Sequence, residues 1–299
     1  MSELTRRRIL TSTTSSGDSD HQCIFEVKWP NGSDLNFGAN YIKKVNWPSG
    51  VTQIAPYAFV DNRMFTEFDI PSTVTTIGDY AFARTRIQNV VIPEGVTTIG
   101  KRAFSAELVA NEREANIVSV QLPSSLRSLG TNAFQYQKSL KTFNIPSGIG
   151  KIPNACFSYC CFLSSTKGAV IDIPEGITEI GLDAFEMTYY VSKVTLPSTL
   201  TKIGSYAFYY CGYNSSSSSN VLTTLVIPSG VTSIGTGTFS YMKTLTEITV
   251  QATTPPTLGS NAFNNTNNAP IYVPVESVDA YKTATNWSSY ASRIQAIPS

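Results

Sequence analysis

Apolar residues in this chain keep fixed offsets from a recurring proline. Immediately before Pro48, Pro71, Pro93, Pro123, Pro146, Pro174, Pro197 and Pro228 stand Trp47, Ile70, Ile92, Leu122, Ile145, Ile173, Leu196 and Ile227. Three residues before the proline come Val45, Phe68, Val90, Val120, Phe143, Ile171, Val194 and Leu225. Six before are Ile42, Phe65, Ile87, Ile117, Leu140, Val191 and Leu222, with Gly168 as the exception. The alternation that ends each block predicts a strand with one buried face, and proline closes it because it has no N–H for the ladder. Val, Leu or Ile three residues after the proline, and Ile or Leu six after, predict a second short extended stretch across the same core. Eleven residues after each proline comes Phe59, Phe82, Phe104, Phe134, Phe157, Phe185, Phe208 or Phe239. A ninth, weaker copy keeps Leu258-Gly259 and Ala262-Phe263.

A period that governs the whole chain predicts a solenoid, in which each coil buries its apolar side only by stacking on its neighbours. The phenylalanines should then stack as a spine, each buried ring contributing about 2 kcal/mol or more. Prolines are spaced 23, 22, 30, 23, 28, 23 and 31 residues apart, and each addition falls between the Phe and the next strand. The insertions Ser105–Asn116, Ser158–Lys167 and Tyr209–Val221 therefore share one flank.

The stretch Ile70-Pro71-Ser72-Thr73-Val74-Thr75-Thr76-Ile77-Gly78-Asp79-Tyr80-Ala81-Phe82 resembles the BspA-like leucine-rich repeat motif of bacterial surface proteins. The resemblance covers about residues 41 to 265, and eight copies in one register make it specific. Ile271-Tyr272-Val273-Pro274, Ser277-Val278, Tyr281-Lys282, Trp287, Tyr290-Ala291 and Ile294 are similar to the terminal segment of such proteins from gut Bacteroidales. The resemblance implies a right-handed leucine-rich-repeat solenoid, mainly β with short helical turns, of about nine coils of 22–31 residues. It also implies adhesion at a cell surface. The expected organisation is a flexible polar leader (1–20), an N-terminal β cap (21–40), repeats (41–252), and a degenerate last repeat with a C-terminal cap (253–299).

Charge narrows the partners. Of the 299 residues only 14% are charged and the net charge is +1, so no strong field attracts nucleic acid or an anionic membrane. No apolar run is long enough to span a bilayer. Arg6-Arg7-Arg8 is followed by Ile9-Leu10 and then polar residues, without the apolar core of a Sec or twin-arginine signal. Read as starting at Met1, the leader departs from the surface pattern and motivates an alternative: a phage or prophage structural protein that uses the scaffold for receptor attachment.

Enzymatic chemistry finds little to work with. His21 is the single histidine and sits beside the polar leader, so an enzyme is not expected. Glu67 and Asp69 would lie on one strand face roughly 6.6 Å apart, near the carboxylate separation of inverting glycosidases, but a solvated pair on a polar sheet face accounts for them. Gly95-Val96-Thr97-Thr98-Ile99-Gly100-Lys101 approaches a phosphate-binding loop, yet Arg102 stands where Ser or Thr is required and the glycines occupy ordinary repeat slots. Cys160 and Cys211 share the slot three after the Phe, two coils and roughly 10 Å apart, too far for a disulfide. Cys156 and Cys161 complete C-x-x-x-C-C without a fourth ligand nearby, so these cysteines read as core and no metal or cofactor is expected.

Binding is the chemistry the surface offers. Two after the Phe stand Tyr136, Tyr159, Tyr210 and Tyr241, joined by Tyr189, Tyr190, Tyr209 and Tyr213. Tyrosine mixed with serine resembles a recognition paratope, where rigid amphipathic rings give contact at low entropic cost. Shielding of coil edges is the competing role. The outward positions of the concave sheet offer Glu67, Asp69, Asn89, Gln121, Asn144 and Lys193, a mixed and mostly uncharged face suited to a protein or glycan. A polar outer face is also what any exposed sheet shows. Oligomeric state is left open.

Overall fold

The computed structural model describes residues 45, 47, 49–62, 69–106, 117–161, 166–213 and 221–298. The expected leader and N-terminal β cap lie outside these residues, as do Cys23, His21, Glu67 and the Ser215–Ser219 run.

The described chain is a β-solenoid of stacked coils whose paired strands are all parallel. One wall carries the strands that end at the prolines. Asn89–Val91, Ser119–Gln121 and Thr142–Phe143 form one sheet, Ala169–Asp172 pairs with Val191–Thr195, and Thr224–Ile227 begins a four-stranded sheet with Glu247–Val250, Ile271–Val273 and Ile294–Ala296. The opposite wall is a ladder of two-residue strands from Gln53–Ile54 to Ser128–Leu129 and from Lys151–Ile152 to Thr257–Leu258. Ile54 pairs with Ile77 and Ile77 with Ile99, so the apolar residue of each copy faces the core in register. A one-residue slip would turn every one of these side chains to solvent, which is why the pattern holds the register.

Gly168 breaks the apolar slot, and the chain answers locally. Ala169, one position on, is buried in its stead and pairs with Val191, while the next pair is Lys193 with Val170. Ser192 is thus the extra residue of a β-bulge, which lets Ala169 take the place that the glycine leaves empty.

The third wall is made of the Ala-Phe segments. These are turns, and their backbone N–H groups point along the stack: Phe82 donates to Ala103 at 2.7 Å, Phe104 to Ala133 at 2.8 Å and Phe157 to Ala184 at 2.9 Å. The glycine four residues before the Phe is needed for the close approach of coils. A Cβ on Gly130 would lie 2.3 Å from the backbone of Gly100 and Lys101.

Inside run the nine rings Phe59, Phe82, Phe104, Phe134, Phe157, Phe185, Phe208, Phe239 and Phe263, every one buried. Neighbouring centroids are 5.2 to 5.6 Å apart with planes within 15°. Trp287 ends the stack 5.6 Å beyond Phe263 and donates its Nε1–H to the Pro256 carbonyl at 2.8 Å. The terminal segment, with its helix Val278–Thr283, also satisfies the last coil: Phe263 N–H donates to the Tyr290 hydroxyl at 3.2 Å, and Arg293 donates to the carbonyls of Ala269 and Phe263. Without this closure the final N–H of the ladder would be an orphan donor.

Candidate functional site

The turn ladder gives the solenoid an outward edge, built from residues two before and two after the Phe in most coils and joined by the residue one after it at Glu186, Tyr209 and Asn264. The outer positions are left-handed: φ is 66° at Tyr136, 59° at Tyr159, 58° at Tyr210 and 63° at Tyr241. That geometry aims their N–H groups at the next coil, as in Tyr159 to Glu186 O at 2.7 Å and Tyr241 to Asn264 O at 2.9 Å. A left-handed residue with a Cβ costs roughly 1–2 kcal/mol, least for Asn and Asp, and Asp61 and Asn265 take this slot elsewhere. Tyrosine is a costly occupant, so its ring has to offset the backbone.

The rings meet one another along the edge. Tyr136 and Tyr159 lie 4.9 Å apart. Further along, Tyr210 and Tyr241 stack at 4.4 Å and 10°. Tyr209 meets Tyr210 edge-on at 4.7 Å and Tyr241 at 5.5 Å, while Tyr213 meets Tyr210 at 5.0 Å and Tyr189 at 5.5 Å. Lys243 Nζ sits 4.9 Å from the Tyr213 ring centre and 5.9 Å from that of Tyr241, within cation–π range.

A carboxylate stands beside these rings. Glu186 accepts a hydrogen bond from Ser158 Oγ at 3.2 Å. Burial, and then the neighbouring Asp183, push its carboxyl above the usual range; burial alone does the same to Asp183. Burial, and then the nearby Glu186, raise the Tyr159 hydroxyl in turn, which keeps that edge ring neutral.

Where the edge reaches the last coils it opens into a cleft of about 240 Å³ lined by Tyr206, Tyr209, Tyr241, Asn261, Asn264 and Asn265, with Thr236, Gly237 and Ser240. Tyr206 and Tyr209 meet at 85°, and Tyr209 and Tyr241 at 78°, which makes two right-angled corners of aromatic surface.

A family model described as the BspA type leucine rich repeat region matches six copies, over residues 33–110, 110–215 and 212–289. The chain belongs to the BspA-type leucine-rich repeat family. Among solved structures, a leucine-rich repeat protein from Bacteroides ovatus is similar with a TM-score of 0.63 at 20% identity, over 78% of this chain and 56% of that one. This chain therefore spans little more than half of that relative's length. The T. pallidum leucine-rich repeat protein is similar with a TM-score of 0.51 at 26% identity, over 69% of this chain and 88% of that one. A search of curated proteins finds no match.

Within this BspA-type frame, seven of the eight expected tyrosines form the clusters described above. Tyr190 stands apart, its backbone engaged with Cys161 and Gly168 ahead of the strand Val191–Thr195. On the sheet face Gln121 and Lys193 are exposed, and Asn89 accepts a hydrogen bond from Ser119 Oγ at 2.7 Å. Asn144 holds the sheet together: its amide bonds both the N–H and the carbonyl of Leu122, at 2.7 and 2.8 Å, continuing the ladder past the two-residue strand Thr142–Phe143. Asp69 is exposed and its carbonyl accepts from Trp47 Nε1, but Glu67 lies outside the described residues, so their pairing is not visible.

Sequence reasoning missed Tyr206, Asp183, Glu186, Gly237, Lys243 and the asparagines of the cleft. The slot two before the Phe, which holds Tyr57, Tyr80, Tyr206 and Gly237, was the available signal. Cys156, Cys160, Cys161 and Cys211 are buried free thiols, and burial pushes Cys211 up to about 12. Among the described residues no group of three or more His, Cys, Asp or Glu is placed to hold a metal, and no helix is long and apolar enough to cross a membrane.

Proposed function

We propose that this chain is a non-catalytic recognition module that binds a protein or glycan ligand through its tyrosine edge. One observation carries the reading. The phenylalanine of each coil already fills the core, yet Tyr136, Tyr159, Tyr210 and Tyr241 sit two residues further on, partly exposed, in left-handed backbone where Asn or Asp would cost less. Tyr136 and Tyr159 brace each other, and Tyr210 and Tyr241 are braced by Tyr189, Tyr209 and Tyr213, so little side-chain entropy is lost when a partner covers them. Adhesion at a cell surface is the role that the family resemblance supports for such a module.

The test is the triple variant Tyr159→Ala, Tyr210→Ala, Tyr241→Ala, labelled and counted on intact bacterial and host cells by flow cytometry beside the unaltered chain. Attachment is expected to disappear while the thermal midpoint changes little. Unchanged attachment, or loss that merely follows a large fall in the midpoint, would sink the reading and make the rings structural.

A further inference from the structure

We propose that the cleft between Tyr206, Tyr209, Tyr241 and Asn261, Asn264, Asn265 is a subsite for one uncharged sugar unit of a glycan; this deepens the reading of the tyrosine edge as a recognition surface and rests on it. Three observations converge.

Size comes first. At about 240 Å³ the cleft is smaller than the roughly 300–1,000 Å³ of pockets for drug-sized ligands, which leaves room for a single ring rather than an extended chain.

Lining chemistry comes next. Every side chain that lines the cleft is neutral and Lys243, beside Tyr241, is engaged with the Tyr213 and Tyr241 rings, so a sialic acid, sulfate or phosphate would lose hydration with no countercharge in the lining. The aromatic corners offer flat apolar surface to the C–H face of a pyranose. Amides and phenols supply both donors and acceptors for hydroxyls. Asn264 is held in place, with Nδ2 donating to Asn261 Oδ1 at 2.9 Å and Oδ1 accepting from Tyr290 OH at 3.1 Å. That arrangement leaves Asn261 Nδ2 and the Asn265 amide without a hydrogen-bond partner among the described residues. A polyol uses such a set fully, whereas a protein side chain would use one or two of its members.

The third observation is what makes the cleft exist. Two residues before the Phe, the other coils carry Tyr57, Tyr80, Arg102, Asn132, Ala155, Asp183, Tyr206 and Asn261, all with positive φ. Gly237 alone has no side chain there; a Cβ on it would lie 2.5 and 2.7 Å from carbons of the Tyr206 ring. The left-handed backbone does not itself demand glycine, since Asn132 and Asn261 hold the same slot at φ 60° and 58° against 60° for Gly237. Gly237 is buried against the Tyr206 ring, so Gly237→Asn should keep the backbone but push that ring aside and destroy the present shape of the cleft.

The experiment uses the full chain, biotinylated and clustered on streptavidin so that a weak single site registers, on an array of neutral, sialylated and sulfated oligosaccharides. The best neutral oligosaccharide is then titrated by calorimetry into the unaltered chain and into Gly237→Asn, with thermal unfolding as the fold control. Binding to neutral glycans is expected, with affinity reduced at least tenfold in Gly237→Asn while the chain stays folded at the assay temperature, the displaced Tyr206 ring lowering the midpoint by a few degrees at most. Binding confined to sialylated or sulfated glycans would overturn the proposal, as would neutral-glycan binding that Gly237→Asn leaves intact. Should the Asn variant unfold, Asn265→Ala and Tyr209→Ala carry the same comparison. No glycan bound, together with cell attachment that still depends on the tyrosines, would remove the sugar subsite and keep the recognition surface; loss of both readouts would remove the surface as well.

Discussion

Two columns of aromatic rings run along this molecule, two residues apart in the coils that carry both, and they obey different rules. The phenylalanine column is uninterrupted from Phe59 to Phe263, its planes within 15° and its rings closed to solvent. The tyrosine column is partial: it begins at Tyr136, changes to Met187 one coil before Tyr210, and its two pairs meet at 48° and 10°. A stack buried on all sides must repeat, since any odd member leaves a void or a clash with two neighbours. An edge that faces water carries no such demand. The regular column is therefore accounted for by stability, and the irregular one is where selection for a ligand could act.

Breaking the regular column should have the largest effect. Phe157→Ala is expected to lower stability by about 3–5 kcal/mol in chemical denaturation, because Phe134, Phe143 and Phe185 all lose their contact with the ring. A cost below about 1 kcal/mol would mean that the coils collapse independently and the spine is not continuous.

The end of the column sharpens the contrast. Tyr290→Phe keeps the ring 5.7 Å from Phe263 but removes the acceptor for the Phe263 N–H, and should cost about 1–3 kcal/mol. A near-zero cost would show that the last coil finds another acceptor.

The tyrosine triple variant and Gly237→Asn come next: both should change binding greatly, the triple variant with little change in stability and Gly237→Asn with a modest loss as its Cβ displaces the Tyr206 ring. Glu186→Gln should have the smallest effect. Because its folded carboxyl is raised, chiefly by burial and then by Asp183, its contribution is complete below the ordinary glutamate range and is lost as pH rises through the folded value. The unaltered chain is thus expected to lose some stability as pH climbs from that range toward neutrality. Glu186→Gln should flatten the profile and raise the midpoint slightly at pH 7; a steeper profile in the variant would contradict the burial argument.

Much of the fold is legible in the sequence because its signals are local and repeated. Ile77, Gly78 and Phe82 recur at the same offsets in other coils, and each offset maps to one wall of the solenoid. Gly78 has the look of a turn residue, but it is required by the approach of the preceding coil, whose Pro56 nitrogen lies 2.5 Å from where its Cβ would be. Ala169 is buried one position after the slot that other coils fill; Gly168 marks the exception in the sequence, but the answering bulge at Ser192 exists only once the two strands pair. The candidate site is legible in part: Tyr210 and Tyr241 follow from their register, whereas Asn144, by pattern a surface ligand group, proves to extend a sheet. Its polarity is visible in the sequence, but not the open backbone groups of Leu122 opposite it.

The amino-acid pattern alone determined the period, the strand register, the phenylalanine spine and the burial of Cys156, Cys160, Cys161 and Cys211, because each follows from whether a side chain at a fixed offset must leave water. The cleft was decided by the tertiary structure. It depends on a side chain that is absent from Gly237 lying beside a ring from the coil before and amides from the coil after, a juxtaposition that only the stacking of coils brings about.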